Sequence, residues 1–122
     1  MPASFSSASL THDRLIAHAG TVVARQITLI SGQNLLRGAV LGKITASSKY
    51  NLSLSAAADG SQTPDLILAE DTDASGGDKL TVAYEAGVFQ GAALTLGTAH
   101  TVASIQEGLR AKGIHLVTAQ SA

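Results

Sequence analysis

The sequence predicts a mainly β fold of the α+β class, a small and strongly curved β domain with one helix near its C-terminus. Three observations predict this class. Between residues 22 and 90, short apolar runs repeat with the two-residue period of half-buried strands. Glycine- and acid-rich segments separate these runs, as turns separate short strands. Only residues 101–112 carry the apolar spacing of an amphipathic helix.

The first predicted strand covers residues 22–30, where apolar and polar side chains alternate. Its apolar residues share one face with Arg25, and a turn-forming segment ends the strand. A second strand is expected at residues 40–45. Gly38 precedes it and Gly42 interrupts it. Because glycine weakens the interior of a strand, these two positions predict bends or bulges at which the sheet curls.

Three more strands are expected before the helix. Leucine alternates with serine in residues 52–55, and the dipeptide at 59–60 is a strong turn signal. Residues 66–69 are all apolar, which predicts a short strand that is buried on both faces. Residues 80–85 alternate again. Residues 85–87 then predict a tight connection into the apolar residues that follow.

The helix is predicted over residues 101–112 because its apolar residues fall on one stripe. Thr101 is a suitable N-cap, and Arg110 lies where a cation favours the helix dipole. Gly113 can adopt the left-handed conformation that ends many helices. A last strand is expected at residues 114–117.

Length and composition limit the chain to one core and exclude several classes of function. The chain has 122 residues, with eight basic and nine acidic side chains, which argues against a general nucleic-acid binder. Cysteine is absent, which excludes disulfides, thiolate zinc sites and a cysteine nucleophile, and fits a reducing cytoplasm. Residues 1–10 lack the pattern of a secretory signal, and no apolar run is long enough to span a membrane.

Residues 1–20 are predicted to form a flexible N-terminal arm, and residues 21–122 the folded domain. The arm is rich in small polar residues, and its apolar residues follow no sustained period. Such a segment is typical of a mobile terminus. The second interpretation is an arm that becomes ordered on a partner, with Phe5 or Leu15 as anchors.

An acidic loop is the first candidate for a chemical site. Asp71, Asp73, Ser75 and Gly76 follow the opening of a calcium-binding loop of the EF-hand type. The twelfth position of that loop requires a glutamate, and the residue there is Val82. We therefore expect a solvated turn and no metal.

No catalytic or cofactor-binding group is predicted elsewhere. The chain contains no nucleophile elbow and no phosphate-binding loop. A lipoyl-type carrier hairpin at residues 70–74 would need a lysine that is missing there, and Lys79 lies in different surroundings. None of the four histidines has a partner at metal-ligand spacing, so we assign them structural or surface roles. These histidines are His12, His18, His100 and His115.

An ordered series of short motifs resembles the bacteriophage lambda head decoration protein D family. The residues that carry the resemblance are Arg37-Gly38-Ala39-Val40-Leu41-Gly42-Lys43-Ile44, Asp59-Gly60-Ser61-Gln62, Ile67-Leu68-Ala69-Glu70-Asp71-Thr72-Asp73-Ala74, Gly77-Asp78 and Tyr84-x-x-Gly87-x-Phe89. The resemblance extends over most of the chain after about Val22. No single motif is diagnostic, so its specificity comes from the order of the series.

The resemblance implies a β-tulip-like domain that acts as a structural protein, without enzymatic activity or cofactor. It implies a homotrimer that binds the major capsid protein on the outside of the expanded head, at three-fold positions. There it would stabilise the head against the pressure of packaged DNA. The location would be the virion surface, after synthesis in the host cytoplasm. An N-terminal arm would order on the shell, with the candidate contact residues Phe5, Leu10, Leu15, Ile16 and Val22.

The alternative from a different class is a small β-barrel that binds a ligand or acts as an enzyme. Its site would lie near the acidic loop at residues 70–78, with His100 lining the pocket. Alanine at Asp71, Asp73 and His100 would abolish that function, whereas loss of the arm would abolish capsid binding.

Overall fold

Eight strands and one α-helix form the part of the chain that the computed structural model describes, residues 15–117 without the side chains of residues 18–21. A short 3₁₀ turn at Gly91–Ala93 precedes the helix. The strands are β1 (Ile16–Leu29), β2 (Asn34–Leu35), β3 (Val40–Lys43), β4 (Tyr50–Leu52), β5 (Pro64–Leu68), β6 (Thr72–Asp73), β7 (Lys79–Gln90) and β8 (Ile114–Val117), and the helix is α1 (Val102–Arg110).

Five of the strands close into a small barrel. Their order is β1-β4-β3-β5-β7, and β7 pairs back with β1 to close the ring. The β1–β7 ladder is antiparallel, whereas β4 meets β1 in parallel through the single pair Leu29 and Tyr50. Strand β8 extends the sheet in parallel beside the last residues of β7, and β2 pairs with β6 separately. The predicted curved, mainly β fold with one C-terminal helix is confirmed, in a form that fits the β-tulip description.

The sheet carries a hydrophobic core on each of its two faces. One core fills the barrel, and the other lies between the barrel wall and α1. Strand β5 shows why residues 66–69 are continuously apolar. Leu66 and Leu68 point into the barrel, whereas Ile67 points into the core under the helix. The prediction of a strand buried on both faces is therefore confirmed.

Helix α1 lies within the predicted range and has the predicted caps. The Thr101 side chain accepts a hydrogen bond from the Ser104 N–H at 3.1 Å, and the Ser104 hydroxyl accepts one from the Thr101 N–H at 2.9 Å. This reciprocal capping box satisfies two amides that the helix itself leaves free. Ile105 and Leu109 are buried, and Gly113 follows the helix at φ +98°. None of the helices among residues 15–117 has the length and apolarity needed to cross a membrane.

The predicted connection at residues 85–87 is wrong, because β7 continues through it without a break. Gly87 pairs with Ile114 of β8, and β1 pairs with the other edge of β7. This part of β7 is therefore the middle one of three strands. A Cβ at position 87 would lie 2.9 Å from Cζ of Phe89. The glycine therefore makes room for the buried Phe89 ring instead of forming a turn.

Strand boundaries also differ from the prediction, and β1 and β4 are two examples. β1 begins at Ile16, six residues before the expected start, since β7 supplies partners as far as the pair Ile16 and Phe89. The register shifts between Ile16 and Ala24 break the two-residue period, which hides this part of the strand from pattern analysis. β4 ends at Leu52, where the next strand was expected to begin.

The predicted irregularity at Gly42 is confirmed. The β3–β5 register shifts between Leu41 and Gly42, and a Cβ on Gly42 would lie 2.0 Å from the carbonyl oxygen of Ser61. The backbone of the 60–63 turn thus packs directly against strand β3, at a distance that only glycine permits. Gly38 lies in a turn before β3.

Candidate functional site

The carboxylates of the acidic loop hold neighbouring backbone segments and do not converge on one point. Asp71 accepts a hydrogen bond from the Arg37 N–H at 2.8 Å, and Asp73 accepts one from the Ser75 N–H at 2.9 Å. Each aspartate thus closes a local turn or joins β6 to the segment after β2. Within residues 15–117, no group of three or more potential metal ligands comes together.

His100 contacts a buried serine, but the pair does not have the polarity of a nucleophile and its base. The Ser53 hydroxyl donates its proton to the Ser61 carbonyl at 2.7 Å and lies 3.1 Å from Nε2 of His100. Because that hydroxyl has only one proton, Nε2 must be the donor to its oxygen. A general base would have to accept the proton instead. Ser53 is also fully buried.

The residues of the alternative ligand-binding site have separate hydrogen-bond partners among the described residues. His100 bonds to Ser53, whereas Asp71 and Asp73 bond to Arg37 and Ser75. These partners lie in different segments of the chain, and no hydrogen bond links His100 to the acidic loop within residues 15–117.

Of the five predicted contact residues, three are described and all three pack on the domain's own core. Leu15 is only 2% exposed, and its carbonyl accepts a hydrogen bond from the Gln90 N–H at 2.7 Å. Ile16 and Val22 are partly buried against the core under α1. Phe5 and Leu10 lie outside the described residues. Residues 16–20 of the predicted arm belong to β1. The contact role of all five residues stays a prediction.

A groove with a volume of about 400 Å³ opens at one end of the barrel. Lys112 pairs with Asp65 at 3.1 Å, and Arg25 lies 3.8 Å from Glu85. The Tyr50 hydroxyl donates a hydrogen bond to the Asp65 carboxylate at 3.2 Å. Burial raises the pKa of Tyr50, and the negative charge of Asp65 raises it further. Both signs of charge thus border the groove. Its lining residues are Val23, Arg25, Asp65, Leu66, Glu85, Ala86 and Lys112.

This groove was not predicted from the sequence. The one signal available was Arg25, a charged residue on the otherwise apolar face of the first predicted strand. Val23 lies on the same strand, and the other lining residues come from β5, β7 and the turn after α1, which the sequence does not show to be neighbours. Several large apolar side chains are also exposed, and these are Val23, Leu36, Leu54, Leu80 and Val117.

Three exposed aspartates have lowered pKa values in the folded protein. Hydrogen bonds from the Ser61 hydroxyl and N–H lower the pKa of Asp59, and those from Ser75 lower the pKa of Asp73. A hydrogen bond from Lys49, and then one from the Ser31 N–H, lower the pKa of Asp78. In each case the folded state favours the charged carboxylate.

Because these pKa values are depressed on folding, their stabilisation is present above the unfolded value of about 3.9 and is lost as the pH falls through the folded values. We expect the Tm to fall on acidification below about pH 4, and to fall less in Asp78→Asn. Thermal melts from pH 7 to pH 2 measure this. The variant should melt below the wild type at pH 7, and the difference should narrow as the pH falls and Asp78 of the wild type becomes protonated. Parallel curves over the whole range would contradict the assignment.

One family model matches almost the whole chain. Its description is bacteriophage lambda head decoration protein D, and the match covers residues 6–115. This range includes the barrel, the groove, helix α1 and every buried residue of the two cores except Leu116. A search of curated proteins finds no significant match.

Proposed function

The chain belongs to the bacteriophage lambda head decoration protein D family, and from this premise we propose how it acts on the phage head. As a head decoration protein it is a structural component of the phage capsid. We assign it a homotrimer that binds the major capsid protein on the outside of the expanded shell, at three-fold positions. There it holds neighbouring capsid subunits together against the pressure of packaged DNA. The family match over residues 6–115 is the observation that carries this proposal.

The described domain has the properties that a cementing protein needs. It is a closed barrel braced by a second core under α1, which makes it a stiff body. In this proposal the arm consists of the residues before Leu15. Because Leu15 is buried, its part in the proposal is to fix the base of the arm, and Phe5 and Leu10 carry the contact with the shell. Ile16 and Val22 contact the shell through the exposed parts of their side chains. Main-chain hydrogen bonds from an added strand would give affinity without a basic or aromatic motif.

The energetics of such binding favour a trimer over a single chain. Ordering an arm reduces the affinity of each contact. Three arms on one trimer raise the effective concentration of the second and third contacts, which slows release. A protein that binds the expanded shell better than its precursor also shifts that equilibrium towards the expanded form. Decoration thus stabilises the head by preferential binding. Synthesis and trimer formation take place in the host cytoplasm before the head is decorated.

The test is a mixture of the purified chain with expanded, undecorated heads, followed by sedimentation. We expect up to three copies of the chain to co-sediment with the heads for each three-fold position. Unexpanded precursor heads are the matched control, and we expect them to retain much less of the chain. A chain that remains a monomer and leaves both kinds of head undecorated would overturn the proposal.

A further inference from the structure

The turn at residues 59–62 contains the one Asp-Gly pair of the sequence, Asp59 and Gly60, and the sequence has no Asn-Gly pair. In flexible polypeptides Asp-Gly is the aspartyl pair that rearranges most readily, because glycine has no side chain to shield the backbone nitrogen that follows the aspartate. The pair is a strong turn signal, and the proposed function makes no use of its chemistry.

The rearrangement needs only water as a reactant. The Gly60 backbone nitrogen attacks Cγ of the protonated Asp59 carboxyl group. The N–H proton and the carboxyl OH leave together as one water molecule, and a five-membered imide forms. Water then opens the imide at either of its two carbonyls, which restores aspartate or produces isoaspartate. In isoaspartate the chain runs through Cγ, so the backbone is one methylene longer and the α-carboxylate becomes a side group.

The fold requires the glycine of this pair. Gly60 has φ +105°, in the left-handed region that favours glycine. A Cβ at this position would lie 3.0 Å from the Lys43 carbonyl oxygen and 3.1 Å from the Thr45 nitrogen, which are backbone atoms that cannot rotate away. Replacing Gly60 would therefore strain the turn against the end of β3. The chain keeps a glycine after Asp59 in spite of the reactivity of that pair.

Isoaspartate at position 59 would form where the turn packs against the barrel. The Thr45 N–H donates to the Asp59 carbonyl at 2.9 Å, and the Ser53 hydroxyl donates to the Ser61 carbonyl at 2.7 Å. The Ser61 carbonyl also lies in the space that the missing side chain of Gly42 leaves open. An additional backbone methylene at position 59 would displace these groups. The rearrangement would therefore damage the contact between the turn and β3.

Both reacting groups are held by side chains of the same turn. The Gly60 N–H donates to Oε1 of Gln62 at 2.8 Å. Oδ1 of Asp59 accepts hydrogen bonds from the Ser61 hydroxyl at 2.6 Å and from the Ser61 N–H at 3.0 Å. These two bonds, the first more than the second, lower the pKa of Asp59 and favour the charged carboxylate, which nucleophiles attack less readily than the acid. Imide formation would have to break all three hydrogen bonds.

We propose that the 59–62 turn is a site of spontaneous isoaspartate formation that its own side chains suppress. Gln62 restrains the attacking nitrogen of Gly60, and Ser61 restrains the carboxylate of Asp59. A capsid protein is not replaced by new synthesis once the particle has left its host, so isoaspartate would accumulate over the life of the particle. Suppression of the reaction preserves the contact of the turn with β3 over that time.

Gln62→Ala tests the proposal, because it removes the acceptor of the Gly60 N–H and leaves the reacting pair unchanged. We expect the folded variant to form isoaspartate at position 59 roughly fivefold faster than the wild type, the factor that corresponds to one hydrogen bond. Gln106→Ala is the matched control, since Gln106 donates to the Leu116 carbonyl at 3.1 Å, outside the turn, and should leave the rate unchanged. Enzymatic methylation of isoaspartate and peptide mapping measure the rates, at a temperature at which circular dichroism shows every variant to be folded.

The unfolded chain provides a second measurement that requires no variant to fold. In denaturant the turn is absent, so the wild type and Gln62→Ala should form isoaspartate at the same rate. We expect that rate to exceed the rate of the folded wild type by on the order of tenfold or more, since several hydrogen bonds are lost together. A folded wild type that reacts as fast as the unfolded chain would overturn the proposal. Equal rates for folded Gln62→Ala and Gln106→Ala would do the same.

Discussion

Deletion of residues 1–14 is expected to weaken binding to expanded heads by about 10²–10⁴-fold, the range by which multivalent attachment exceeds a single contact. The reason is that each trimer would lose all three of its arms at once. The cut should fall after residue 14, because Leu15 is buried in the core and Ile16 begins β1. A cut at residue 20 would remove both and confuse loss of folding with loss of binding. Co-sedimentation titrations measure the change.

Paired substitutions within the arm separate side-chain contacts from arm length. Phe5→Ala with Leu10→Ala removes the two predicted anchors, and we expect it to reproduce much of the loss. Ser6→Ala with Ser9→Ala is the matched control, since it keeps the length of the arm and its apolar residues. Full decoration by the truncated protein would show that the domain itself carries the contact.

Alanine at Gly42 is expected to destabilise the fold by about 3 kcal/mol, at the upper end for overpacking a well-packed interior. The new Cβ would lie 2.0 Å from the Ser61 carbonyl oxygen and 2.7 Å from its Cα, which are backbone atoms that cannot rotate away. Either β3 or the 60–63 turn must move. The expected fall in Tm is on the order of 10–20 °C. Thermal and urea unfolding measure it.

Gly108→Ala is the matched control, because it makes the same chemical change where no atom lies within 4 Å of the new Cβ. Gly108 is exposed in the middle of α1, so alanine should stabilise the protein by about 0.5–1 kcal/mol. The two substitutions thus have opposite expected signs. A Gly42→Ala variant as stable as the wild type would show that the close approach to Ser61 does not contribute to the fold.

The helix and the buried strand are elements that could be predicted from the pattern of neighbouring residues. The apolar stripe of α1, its Thr101 cap and Gly113 are all properties of adjacent residues, so their prediction was correct. The same holds for the apolar run of β5. The error at residues 85–87 has the opposite origin, because the glycine there serves the packing of Phe89 and the pairing with β8.

Some of the candidate sites could likewise be assessed from the sequence, whereas the groove could not. The acidic loop and the histidines could be assessed from spacing alone, and the structure adds which backbone groups they hold. The groove could not be predicted, because the pair Lys112 and Asp65 joins positions that are 47 residues apart.

From the amino-acid sequence alone came the mainly β class, the single helix with its caps, and the resemblance to head decoration proteins, because local periods and ordered motifs are written in neighbouring residues. The tertiary structure alone decided that β7 closes the barrel onto β1, that Leu15 is part of the core, and that residues of β1, β5 and β7 line one charged groove. These features depend on which distant strands pair and in which register, and pairing is set by the packing of the whole chain.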